Sequence, residues 1–300
     1  MVKPPNSDGS KTEGSSDLPI AGYWRREGNG FRCELCFRRC FLTEGQSGFC
    51  GVRQVENNIF KSPLLGRFCS LAIDPIEKKP LYHWRPKSSI LSLGSLGCTM
   101  NCPFCQNHDI ARPESEIATT FISPQALAAK ARDLGQQAVA YTYNEPTLQT
   151  EYILKAAPWL NEFDVRTVLV TNGQMSAEAA NALASVVAAA NIDLKSFNRT
   201  AYSAMGGSSS AVKGNIVLLA EKGVHVEVTT LVVPGLSDNE DDFANLVDWL
   251  AELSPDIPFH ISRYFPAYQY SAPSTDLNIL HSFQKIAQSR LRHVHLGNVR

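Results

Sequence analysis

The segment Gly97-Cys98-Thr99-Met100-Asn101-Cys102-Pro103-Phe104-Cys105-Gln106 spaces three cysteines as C-x3-C-x2-C. It follows a short apolar run, Ile90–Leu93, which ends in Gly94 and reads as a β-strand. A loop just after a strand is the reactive end of an α/β fold. Three thiolates can hold three irons of a cubane cluster and leave the fourth iron free for a small molecule. Structural zinc is the competing reading, but it needs four ligands, and His108 is the residue at hand for the fourth.

Downstream of this loop the pattern alternates between strand and helix. Ser123-Pro124 reads as a helix N-cap with proline at the first helical position, and Gly135 as the stop. Strands are expected at 138–143, 165–170, 192–194, 224–233, 259–264 and 293–296. Helices are expected near 147–161, 176–189, 209–222 and 275–289. Ser237 and Glu240 have capping-box spacing, and Phe243, Leu246, Val247 and Leu250 make one helical face. Six βα units or slightly more demand parallel strands with right-handed crossovers. This predicts an α/β fold, either an open doubly wound sheet or an incomplete (β/α)6 TIM-like barrel.

Upstream, the chain changes character. All eight cysteines of the 300 residues lie before position 106. Residues 1–20 are rich in Pro, Ser and Gly and lack apolar periodicity, so a disordered tail is expected there. They also lack the apolar stretch of a secretory signal, which favours a reducing, cytoplasmic setting in which clustered cysteines serve metals or redox chemistry. Residues 21–88 read as a cysteine-rich module with a β extension, and residues 89–300 as the partial barrel. A net charge of −1 supplies no field for nucleic acid, and no apolar run is long enough to span a membrane.

The C-x3-C-x2-C loop and the strand ends that follow it resemble the radical S-adenosylmethionine (SAM) superfamily over residues 89–266. The resemblance implies a [4Fe-4S] cluster on Cys98, Cys102 and Cys105. Its open iron binds the methionine part of SAM, and reductive cleavage yields a 5′-deoxyadenosyl radical that abstracts hydrogen. Phe104 matches the aromatic position beside cluster and adenine. Tyr143-Asn144-Glu145 falls where the superfamily carries Gly-Gly-Glu for the SAM amino group, with both glycines replaced. Thr171-Asn172 and Asp193-Leu194-Lys195 end the next strands, and Lys195 matches a partner of the SAM carboxylate. The stretch Leu231–Gly235, including Val233, matches apolar backbone flanking adenine. These later segments are similar to the activating enzymes of glycyl radical enzymes, such as pyruvate formate-lyase activating enzyme. Val170 replaces an acidic residue of their cation site.

A closer resemblance rests on Asp74-Pro75-Ile76-Glu77-Lys78-Lys79-Pro80-Leu81-Tyr82-His83, Cys105-Gln106-Asn107, Ala140–Thr147 and Gly297-Asn298-Val299. These runs are similar to the AmmeMemoRadiSam system radical SAM enzymes. The partners implied are an electron donor such as ferredoxin or flavodoxin, a Memo-like or AMMECR1-domain protein, or a glycyl radical enzyme. Phe37 stands where a proline is usual, and Phe265 where many relatives have histidine.

Cys33, Cys36, Cys40 and Cys50 have the spacing C-x2-C-x3-C-x9-C in a segment too short for its own apolar core. A tetrahedral zinc site, an auxiliary iron–sulfur cluster and a metal-free set of reduced thiols are all compatible with them. Cys69 reads as a core residue. Lys78, Lys79, His83 and Arg85 face either the barrel mouth or solvent. Arg263 and Tyr264 are placed to contact SAM or substrate, while His281, His293 and His295 read as structural.

Overall fold

A computed structural model of the chain describes residues 21–299. The tail expected over residues 1–20 lies outside them. The amino-terminal strands are short. β1 (Trp24–Glu27), β2 (Gly30–Cys33) and β3 (Phe41–Leu42) form an antiparallel sheet, and β4 (Gln54–Glu56) and β5 (Ile59–Lys61) form a hairpin. β6 (Arg67–Phe68) pairs with the later β9 (Thr120–Phe121).

The central sheet has eight strands. They are β7 (Ser70–Pro75), β8 (Ser89–Gly94), β10 (Ala138–Tyr141), β11 (Arg166–Thr171), β12 (Val187–Asp193), β13 (His225–Val232), β14 (Phe259–Arg263) and β15 (Val294–Gly297). They lie in chain order from β15 at one edge to β7 at the other. Every neighbouring pair is parallel except β7 and β8, which are antiparallel. The two edge strands are not paired with each other, so the sheet is open.

Strand alternation divides the sheet's side chains between two faces. Leu91, Leu93, Val139, Tyr141, Leu169 and Ile192 join the main core, under the helices. Those helices are α1 (His108–Ala111), α2 (Pro124–Asp133), α3 (Thr150–Asn161), α4 (Ala177–Ala184), α5 (Arg199–Ala204), α6 (Ser209–Glu221), α7 (Glu240–Leu253) and α8 (Leu277–Gln288). Ile90, Ala138, Ala140, Val168 and Ala189 point the other way, into a second cluster closed by Ile76 and Leu81. The segment between β7 and β8 therefore covers that face, and small alanines leave room for it. Asn191 Nδ2 fastens it by donating to the Pro80 carbonyl at 2.8 Å.

The cysteine-rich segment shares the main core rather than building its own: Phe31, Leu35, Val52 and Phe60 belong to it. A buried ion pair, Arg53 to Glu151 at 2.6 Å, ties the segment to α3.

Two local expectations change. Val187–Ala190 extends β12 instead of the preceding helix, because burial in the sheet overrides alanine's helix propensity. Asn239, not Ser237, caps α7 and accepts from Asp242 N–H at 2.9 Å. Ser237 Oγ instead accepts the Val233 N–H at 2.8 Å. Ser123 does cap α2, as its sequence predicts.

Candidate active site

The carboxyl ends of the parallel strands converge on a cavity of about 320 Å³. Cys98, Cys102, Cys105 and Phe104 reach it from the loop after β8, and Tyr143, Asn144 and Glu145 from the end of β10. Thr171 and Asn172 come from β11, and Asp193 and Lys195 from β12. Among the residues matched to the superfamily's SAM pocket, Val233 is the one that does not line the cavity. Its side chain is buried and its N–H is taken by Ser237, while Leu231 supplies the apolar contact from β13.

The three cysteines are half-buried in the cavity wall. Burial pushes the Cys98 thiol up to about 12 and Cys102 to about 11, and raises Cys105 as well. Thiols in that state give up their protons to a metal centre, whose positive charge replaces lost hydration. Asn172 Nδ2 donates to the Cys98 sulfur at 3.5 Å and to Thr99 Oγ1 at 3.0 Å. Two arginines hold the same loop by its carbonyls. Arg112 donates to Cys98 O and Met100 O at 3.0 and 2.8 Å, and Arg38 to Thr99 O at 2.7 Å. Both guanidiniums lie over the Phe49 ring, next to Cys50.

Glu145 is fully buried, and burial raises its carboxyl above the usual range despite its partners. Oε1 accepts from Thr147 N, Thr147 Oγ1 and Thr171 Oγ1, while among the described residues Oε2 accepts only the Asn172 N–H at 2.9 Å. One acceptor position on Oε2 is therefore uncommitted. Tyr143 takes φ of +70°, a conformation that favours glycine, and Asn107 Nδ2 steadies it by donating to its carbonyl at 2.8 Å. Tyr143 thus holds a glycine-like conformation where the superfamily resemblance expected a glycine, and Asn107 clamps it. Asn144 is a brace rather than a free ligand. Its Oδ1 accepts the Ser95 N–H at 3.0 Å and its Nδ2 donates to Gly97 O at 2.9 Å.

Lys195 donates to Asp193 at 2.8 Å. Burial alone would lower its ammonium, but Asp193 and Cys102 outweigh burial and hold it above the ordinary lysine value. Lys78 and Lys79 also reach the cavity, from the segment below. His83 and Arg85 do not. Arg263 and Tyr264 miss it too: Arg263 donates to Thr275 O at 2.9 Å, and Tyr264 to Tyr270 O at 2.7 Å. Sequence reasoning assigned no role to Asn107 and Asn298, although both stand in runs that it singled out and both line the cavity.

Cys33, Cys36, Cys40 and Cys50 face a second, much smaller cavity that also touches Thr99 of the first loop. Among the described residues, no three Cys, His, Asp or Glu side chains converge as around a single metal ion. Cys69 lies apart, its sulfur 3.4 Å from the carbonyls of Gly94 and Ser95. His293 and His295 join His83 and His260 at the amino ends of β14 and β15, around the buried Glu227. Glu227 also accepts the backbone N–H groups of Tyr82 and His83, so this group locks the covering segment in place.

The profile of the radical SAM superfamily matches residues 93–250. The uncharacterized protein MJ0808 of Methanocaldococcus jannaschii is 35% identical over 282 residues, covering 92% of this chain and 84% of that protein. The chain belongs to the radical SAM superfamily, an enzyme superfamily built around a [4Fe-4S] cluster and SAM. Its fold is similar to a radical SAM methyltransferase from Sphaerobacter thermophilus, with a TM-score of 0.53 and 15% identity over 71% of this chain and 67% of the other. It is also similar to Streptococcus suis SuiB bound to SAM, with a TM-score of 0.53 and 18% identity over 68% of this chain. The chain spans about half of SuiB, 48% of its length. No helix among the described residues is long and apolar enough to cross a membrane.

Proposed function

We propose that this chain is a radical SAM enzyme of the AmmeMemoRadiSam kind, its open sheet serving as an incomplete barrel around the reaction. The observation that carries the proposal is the meeting of three half-buried thiols, a lysine and a carboxylate on one cavity at the strand ends. Cys98, Cys102 and Cys105 would hold a [4Fe-4S] cluster. Bound there with SAM and given an electron, the cluster would supply a 5′-deoxyadenosyl radical for hydrogen abstraction from a substrate.

The chain's own groups then divide the work. Lys195, oriented by Asp193, offers an ammonium to the SAM carboxylate. Glu145 Oε2 offers its uncommitted acceptor position to the SAM amino group, whose charge would keep this buried carboxyl ionised. Phe104 and Leu231 exclude water from the reacting atoms. Thr171 and Asn172 hold Glu145 and the Cys98 loop in register. An external one-electron donor is required in this reading.

Anaerobic reconstitution tests the proposal. Wild-type protein with iron, sulfide, SAM and dithionite is expected to release 5′-deoxyadenosine and methionine, and Cys98→Ala is expected to release neither. Iron-loaded wild-type protein that leaves SAM intact would overturn it.

A further inference from the structure

The Asp74–His83 run has no role in the SAM-binding reading above, yet it delivers two lysines to the cavity. Lys79 is only 2% exposed. Its Nζ donates to Asp74 Oδ2 at 2.8 Å and lies 4.3 Å from the centre of the Tyr143 ring. An ammonium has three donors, and Asp74 is its one hydrogen-bonding partner among the described residues. Asp74 is itself divided. It also accepts the Tyr143 hydroxyl at 2.5 Å and the Lys78 ammonium at 3.3 Å.

Two cations thus share one carboxylate at the cavity, a local excess of one positive charge. Burial pulls Lys79 below the ordinary lysine value even with Asp74 beside it, as expected of a cation short of counter-charge. Lys195, by contrast, has Asp193 to itself. Asn107 and Asn298 add side-chain amides to the same cavity.

We propose that Lys78 and Lys79 form the substrate anchor of this cavity, and that the substrate carries an oxyanion, a carboxylate or a phosphate, which completes their coordination. The inference deepens the enzyme reading above and rests on it. A buried ammonium with two unused donors is worth most to a fully charged oxygen acceptor, and the anchored group would fix which C–H bond is presented.

Calorimetric titration of the cluster-loaded protein with inorganic phosphate, and separately with acetate, tests this, each with and without saturating SAM. Wild-type protein is expected to bind at least one anion whether SAM is present or not. Lys79→Met is expected to weaken that binding by about tenfold or more. Lys78→Gln, at an exposed side chain that does not hold the fold, is expected to weaken it by about threefold. Binding of phosphate alone would mark a phosphorylated substrate, and binding of acetate a carboxylic acid. If neither anion binds, if both lysine variants bind like wild type, or if SAM displaces the anion, the proposal is overturned. Should Lys79→Met not fold, Lys78→Gln decides alone. Release of 5′-deoxyadenosine by the wild type is measured separately, so failure here is not confused with failure of the radical reading.

Discussion

The side-chain amide of Asn172 points at the Cys98 sulfur from 3.5 Å, while the backbone N–H of the same residue is held by Glu145 at 2.9 Å. One asparagine after β11 therefore touches the first cysteine of the triplet and the buried carboxylate after β10. An N–H directed at a ligating sulfur stabilises the electron-rich, reduced cluster. Asn172→Asp keeps the side chain's size but removes the donor and adds negative charge. Its cluster is expected to have a more negative midpoint potential than wild type in a spectroelectrochemical titration. An unchanged potential would show that the amide does not act on the sulfur.

Glu145 is an acceptor for four donors. Glu145→Gln must turn an NH2 group toward at least one of them, or leave that donor unpaired. A loss of about 1–3 kcal/mol in unfolding free energy is expected from urea denaturation. SAM affinity, read by equilibrium dialysis, is expected to fall with it. A variant as stable as wild type would mean that the site relaxes around glutamine.

Arg53 is 1% exposed at its side chain and pairs with Glu151. Arg53→Met strands a carboxylate and is expected to cost about 3–5 kcal/mol. Adding Glu151→Leu removes the stranded charge and should recover much of that loss. If the single variant melts at the wild-type temperature, the cysteine-rich segment is not anchored by this pair.

Acid is expected to loosen the segment that covers the sheet. Burial, with His260 and His83 nearby, pushes His295 down to about 4, from an unfolded value near 6.5. His83 is lowered as well, chiefly by burial. The two rings meet with Nε2 atoms 2.8 Å apart. Below about pH 6.5 the unfolded chain binds protons that the folded pair refuses. Stability is thus expected to be full above that pH and to fall as pH drops toward 4. Thermal melts across this window should show a steeper loss for wild type than for His295→Gln.

Much of the sheet was legible because buried parallel strands are short apolar runs bounded by turn residues. Ile90–Leu93 and Phe259–Tyr264 read that way directly, and the helix carrying Phe243 to Leu250 follows its 3.6-residue period. Val187–Ala190 was not legible, since three alanines carry no strand signal and their fate is decided by neighbours distant in sequence. The cysteine triplet was legible from its spacing just after a strand, and Glu145 and Lys195 from the superfamily resemblance at later strand ends, which share one mouth. Lys79 was ambiguous for the opposite reason. Its position depends on a covering segment whose path across the sheet no local pattern records. Of the run Leu231–Gly235, matched through its backbone, the Leu231 side chain lines the cavity and that of Val233 does not.

Arg38 has a consequence for how the molecule is assembled. It bonds to Thr99 and to the carbonyl of Gly206, 168 positions away, and Phe37 N–H reaches Gln174 O. The Phe37-Arg38 segment thus finds its final contacts only after Gly206, 168 residues later, has been made. Such long-range closure is slow in folding. It leaves Cys33, Cys36, Cys40 and Cys50 accessible to metal and oxidant through most of synthesis, while the site of Cys98 takes shape later.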